Sequence, residues 1–133
     1  MLDTNGLQHA EPRHAQFQGR GAETLEISTA MVRMYKNQFG RGPTSSRTDY
    51  AGPNLVVCSL YGSLTPAEQN LRDMGEEQRL RDVRLFFQYA SEKEFRGEVE
   101  RITGRTVTAF ASGMDVSQDI ATEIFYLEPV AWG

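Results

Sequence analysis

The sequence predicts an α+β domain, a four-stranded antiparallel sheet with a long helix packed across one face. Three observations predict it. Two pairs of short runs, 44–50 with 54–61 and 106–112 with 120–128, are rich in strand-forming residues, and each pair is joined by a turn-forming segment. Segments with apolar residues at three- and four-residue steps precede and separate those pairs. The resulting order, α-β-β-α-α-β-β, groups strands in hairpins, which favours an antiparallel sheet over a doubly wound parallel one. At 133 residues the chain is long enough for one core.

Each element has its own justification. Residues 1–21 carry only scattered apolar side chains (Leu2, Leu7, Phe17), too few to repay ordering, and are expected to form a flexible tail. The domain is expected to span 22–129, with 130–133 as a short C-terminal end. Leu25, Ala30 or Met31, Met34, Tyr35 and Phe39 recur near helical spacing over 22–39; Gly40 is placed to cap that helix and Pro43 to stop it resuming. The run Leu55–Tyr61 is apolar on both faces and reads as a central strand. Thr65-Pro66-Ala67-Glu68 is a capping box with proline at the first helical position. Residues 76–103 read as one long helix with an apolar stripe of Leu80, Val83, Phe87, Ala90, Phe95, Val99 and Ile102, closed by Gly104. Strands 54–61 and 120–128 carry bulky apolar residues on both faces, more than one helix layer covers, and this predicts a homodimer.

Composition bounds the function. The net charge is −4, which gives no general attraction for nucleic acid or anionic lipid, so no nucleic-acid partner is expected. No apolar run reaches the ~20 residues that span a bilayer, so no membrane insertion is expected. The N-terminal stretch does not read as a signal peptide, and the lone Cys58 fits a reducing compartment, so a cytoplasmic location is expected. Cys58 lies in an apolar strand away from both histidines, His9 and His14, and reads as a core residue. Asp73, Glu76 and Glu77 read as helix-start acids, not metal ligands. Phe86, Phe87, Tyr89 and Phe95 sit at helical spacing and read as core or subunit interface. No nucleophile, acid–base or metal constellation emerges, so no cofactor and no enzymatic activity are expected.

One loop is suggestive. Gly40–Arg47 combines glycines, hydroxyls and two arginines, and Arg41, Gly42, Thr44 and Arg47 could hold a phosphate or carboxylate. The same residues also suit a helix stop followed by an edge strand. Charge is uneven as well. Between Ile27 and Thr48 lie four basic residues (Arg33, Lys36, Arg41, Arg47) and no acid; from Thr106 onward lie four acids (Asp115, Asp119, Glu123, Glu128) and no base.

Five segments in order carry a resemblance: Gly40-Arg41-Gly42-Pro43-Thr44, Leu64–Leu71, Val83–Phe87, Thr103–Val107 and Glu123–Pro129. Together they resemble the MpsC-like family over roughly 22–129. That resemblance implies a small soluble component acting beside the membrane subunits of a sodium-translocating, membrane-potential-generating system. It brings no catalytic residues with it. The function expected is therefore a non-enzymatic accessory or regulatory component, homodimeric, with a membrane-protein partner and a link to ion transport. The alternative is a small-molecule or phosphate-type anion-binding module that uses the Gly40–Arg47 loop.

Overall fold

A computed structural model describes residues 7–130, with side chains from residue 20 onward. The elements run α1 (Leu7–Phe39), β1 (Ser45–Tyr50), β2 (Leu55–Tyr61), α2 (Pro66–Asp73), α3 (Glu77–Ala90), α4 (Glu92–Thr103), β3 (Val107–Asp115) and β4 (Ile120–Leu127). The strands form one antiparallel sheet in the order β1-β2-β4-β3, so the apolar β2 is central, as its composition predicts.

Period-two alternation sorts the sheet into two faces. Val56, Cys58 and Leu60 of β2, and Ala121, Phe125 and Leu127 of β4, point inward and are fully or nearly fully buried. They join Ile27, Met31 and Tyr35 of α1, Leu80 of α3, and Phe95 and Val99 of α4 in one core cluster. The opposite face carries Leu55, Val57, Ile120 and Ile124, half-buried and outside that cluster. There Val57, Ile124 and Ala111 lie side by side in register across three strands.

The capping box is present as read. Thr65 Oγ1 accepts from the Glu68 amide at 3.2 Å, and Glu68 Oε1 accepts from the Thr65 amide at 2.9 Å. Gly40 and Gly104 take the left-handed conformation that ends their helices.

Two expectations change. The first helix begins at Leu7 and not at residue 22; residues 1–6 lie outside the described residues. The long helix is two helices that meet at Ser91. Ser91 Oγ donates to the Phe87 carbonyl at 3.1 Å, and this back-bonding competes with the helical ladder. The break re-aims the buried face. On α3 it is Leu80, Arg84 and Gln88 that are buried, and on α4 it is Phe95 and Val99. Val83, Phe87 and Ala90, expected in the core stripe, face outward.

Candidate functional site

A row of polar side chains crosses the inner face of the sheet. Strand register places Thr48, Cys58, Glu123 and Ser112 side by side on β1, β2, β4 and β3. Helices close both ends. Ser28 of α1 bonds Thr48, oxygen to oxygen, at 2.7 Å, and Gln88 Nε2 of α3 donates to Ser112 Oγ at 2.7 Å. Over the middle of the row the Tyr35 hydroxyl donates to Glu123 Oε2. Tyr35, Gln88 and Glu123 are all fully buried.

Arg84 sits beside this row with no exposed surface, but its charge is balanced elsewhere. Its guanidinium makes a two-point pair with Glu68, Nε to Oε2 and Nη2 to Oε1, both at 3.0 Å. Nη2 also donates to the Ser63 carbonyl at 2.7 Å, and the Phe39 ring lies 3.8 Å away over the guanidinium carbon. Asp119 steadies the Ser63 segment: one of its carboxylate oxygens accepts from the Ser63 amide at 2.9 Å. Because Arg84 is engaged by Glu68, Glu123 lacks a cation to offset its burial. Desolvation therefore pushes the Glu123 carboxyl up to about 8, against the smaller opposing effect of the neighbouring Ser112 and Tyr35 hydroxyls. Burial also pushes the Cys58 thiol up to about 12. Four atoms of this neighbourhood find no hydrogen-bond partner in the protein: Glu123 Oε1, Gln88 Oε1, Arg84 Nη1 and Ser63 Oγ.

Sequence reading missed this cluster. Glu123 counts there among the acids of an acidic C-terminal stretch. Arg84 and Gln88 disappear behind the more apolar stripe of the same helix. A signal existed for Glu123, since it alternates in phase with Ala121, Phe125 and Leu127.

The Gly40–Arg47 loop sits apart from that row and is held by its own contacts. Arg47 pairs with Asp49 at 2.8 Å on the exposed β1. Arg41 Nη2 reaches the Gly62 carbonyl at 3.4 Å, and the Thr44 amide donates to the Tyr61 carbonyl at 2.8 Å. Glycine is needed at a different position from the one the motif suggests. Gly62 has φ +71°, and a Cβ there would lie 2.5 Å from Thr44 Oγ1. Gly42 lacks a positive φ, and its added Cβ would make ordinary contacts at 3.6 Å with Lys36 and Val32. Gly62→Ala is therefore expected to cost about 1 kcal/mol or more, and Gly42→Ala to change stability by less than about 0.5 kcal/mol. Urea midpoints of the two variants check the order.

The family model for MpsC, the Na+-translocating membrane potential-generating system, matches residues 20–129. The chain belongs to the MpsC family. No curated protein and no solved structure matches it. Among the described residues of this MpsC domain, no helix is long and apolar enough to cross a membrane, and no group of three or more His, Cys, Asp or Glu could hold a metal ion.

The MpsC domain also has an unusual surface. Its α3 turns two polar side chains, Arg84 and Gln88, inward and its aromatic ones outward. Phe86 is 70% exposed, and Val83 and Phe87 are more than 40% exposed. With Ala90 these residues recur at three- and four-residue steps and form one apolar stripe facing solvent. The stripe is connected inward by ring contacts. Phe86 meets Phe87 edge to face at 5.5 Å, Phe87 meets Phe39 at 6.4 Å, and Phe39 meets Tyr35 at 5.3 Å.

Proposed function

We propose that this chain is a non-enzymatic, homodimeric accessory component of a membrane-potential-generating system, and that it works by protein contact. The observation that carries this reading is helix α3, which buries Arg84 and Gln88 beside Leu80 while Phe86, Phe87 and Tyr89 face solvent. A side chain buried to 0%, as Arg84, Gln88 and Glu123 are, offers no surface to a substrate. A solvent-facing apolar stripe, in contrast, is the kind of patch that marks an interaction site. The half-buried outer face of the sheet supplies a second apolar surface, suited to face-to-face packing against another copy.

The two surfaces are tested separately. At about 50 µM, well above ordinary obligate-dimer dissociation constants, sedimentation is expected to give a dimer for the wild type and for Phe86→Asp, and a monomer for Ile124→Lys. A monomeric wild type would remove the homodimer from the proposal. In the source organism, deletion of the gene should lower the membrane potential reported by a voltage-sensitive dye. Wild type should restore it and Phe86→Asp should not. An unchanged potential after deletion would overturn the accessory role.

A further inference from the structure

The Glu123 carboxyl has one oxygen engaged by Tyr35 and the other without a partner in the protein. Next to it, across Ser112, lies Gln88 Oε1, also an acceptor without a donor. A fully buried carboxylate with one oxygen unpartnered is costly as an anion, and a proton on that oxygen removes the charge. The groups facing Glu123 are Tyr35 from α1, Cys58 from β2 and Ser112 from β3; from α3, Gln88 is bonded to that serine and the Arg84 charge acts on Tyr35. None of them competes for that proton near neutrality. Burial, followed by the neighbouring Glu123, raises Tyr35 well above its ordinary value, and the Cys58 thiol is pushed up to about 12. Arg84 has Glu68 as its counter-ion.

The Glu123–Tyr35 bond is also the inner end of the ring series that reaches the surface through Phe39 and Phe87 to Phe86. Phe39 touches both halves of the buried network, stacking on the Arg84 guanidinium and meeting the Tyr35 ring. We propose that the Glu123 cluster is a proton-binding site whose occupancy is transmitted through Tyr35, Phe39 and Phe87 to the exposed stripe of α3. When the carboxyl is neutral, Tyr35 donates to it and the rings hold the packing described above. When the carboxyl is ionised, a buried anion stands without a counter-ion, because Arg84 is held by Glu68. The side chains around it then rearrange to solvate it or to bring the guanidinium closer. Because Arg84 and Phe39 are in contact, that rearrangement displaces Phe39 and with it Phe87.

The test uses the full chain, isotope-labelled at glutamate for infrared spectroscopy and at phenylalanine for NMR, titrated from about pH 6 to about pH 10. The wild type is expected to show a protonated carboxylic-acid C=O band that disappears as pH rises, with Phe86 and Phe87 ring resonances shifting at the same midpoint. Glu123→Gln should lack both the band and the shift. Phe39→Leu should keep the band and its titration while the ring shifts become small. The proposal is overturned if the wild type has no such band, or if the band persists in Glu123→Gln. It is equally overturned if the Phe86 and Phe87 shifts are the same in wild type and Glu123→Gln.

Discussion

Glu68→Ala is expected to destabilise the domain by about 3–5 kcal/mol, the usual consequence of stranding one member of a buried ion pair. Arg84→Met should cost less. The reason is an asymmetry in burial: the Arg84 side chain is 0% exposed and that of Glu68 is 18% exposed. Removing Glu68 leaves a sealed cation with only the Ser63 carbonyl and the Phe39 ring for company. It also removes half of the capping box at the start of α2, a change worth about 1 kcal/mol. Removing Arg84 in favour of an apolar side chain of similar length leaves a carboxylate that still touches water and still caps α2. Urea unfolding of both variants at neutral pH gives the comparison. A larger loss for Arg84→Met than for Glu68→Ala would show that the guanidinium contributes mainly by packing.

Glu123 sets the second large effect, a dependence of stability on pH. Its folded-state carboxyl titrates at about 8, against an ordinary value of 4.5. Between those values the folded protein holds a proton that the unfolded chain has released. Stability contributed by the neutral acid is therefore complete below pH 4.5 and falls as pH rises, until the loss levels off above about 8. The slope for one such proton approaches ~1.4 kcal/mol per pH unit. Glu123→Gln keeps the shape of the side chain and cannot ionise, so its stability should fall less steeply across this window. Its advantage over wild type should be greatest near the alkaline end, whereas the two should be similar at the acid end. Parallel curves for wild type and variant would mean that Glu123 is ionised in the fold.

Much of the architecture can be read from short-range rules. The capping box at Thr65, the glycine caps at Gly40 and Gly104, the central position of the apolar β2 and the antiparallel pairing all follow from local chemistry. Each depends on residues within a few positions of one another, or on an alternation visible in a single strand. The inward face of α3 does not. Leu80, Val83, Phe87 and Ala90 and the set Leu80, Arg84 and Gln88 are both helical stripes, and hydropathy alone selects the first. What selects the second is long-range: Arg84 satisfies the carbonyl of Ser63, and Gln88 satisfies that of Gly113, a residue 25 positions away. The break at Ser91 then lets α3 present Leu80, Arg84 and Gln88 while α4 presents Phe95 and Val99.

Local sequence thus determined the strands, the capping box, the glycine caps and the family, but not the division of the 76–103 helix. The alternation of β4 even placed Glu123 on the core face. Only the tertiary structure decided what that carboxyl would meet there. A polar side chain in a core is tolerated according to its partners, and here those partners come from other parts of the chain. Tyr35 lies 88 residues from Glu123, and Arg84, the nearby cation, is held by Glu68. No pattern within one helix or strand encodes that pairing. The proton affinity of Glu123 and the outward turn of Phe86 and Phe87 are therefore properties of the packed whole.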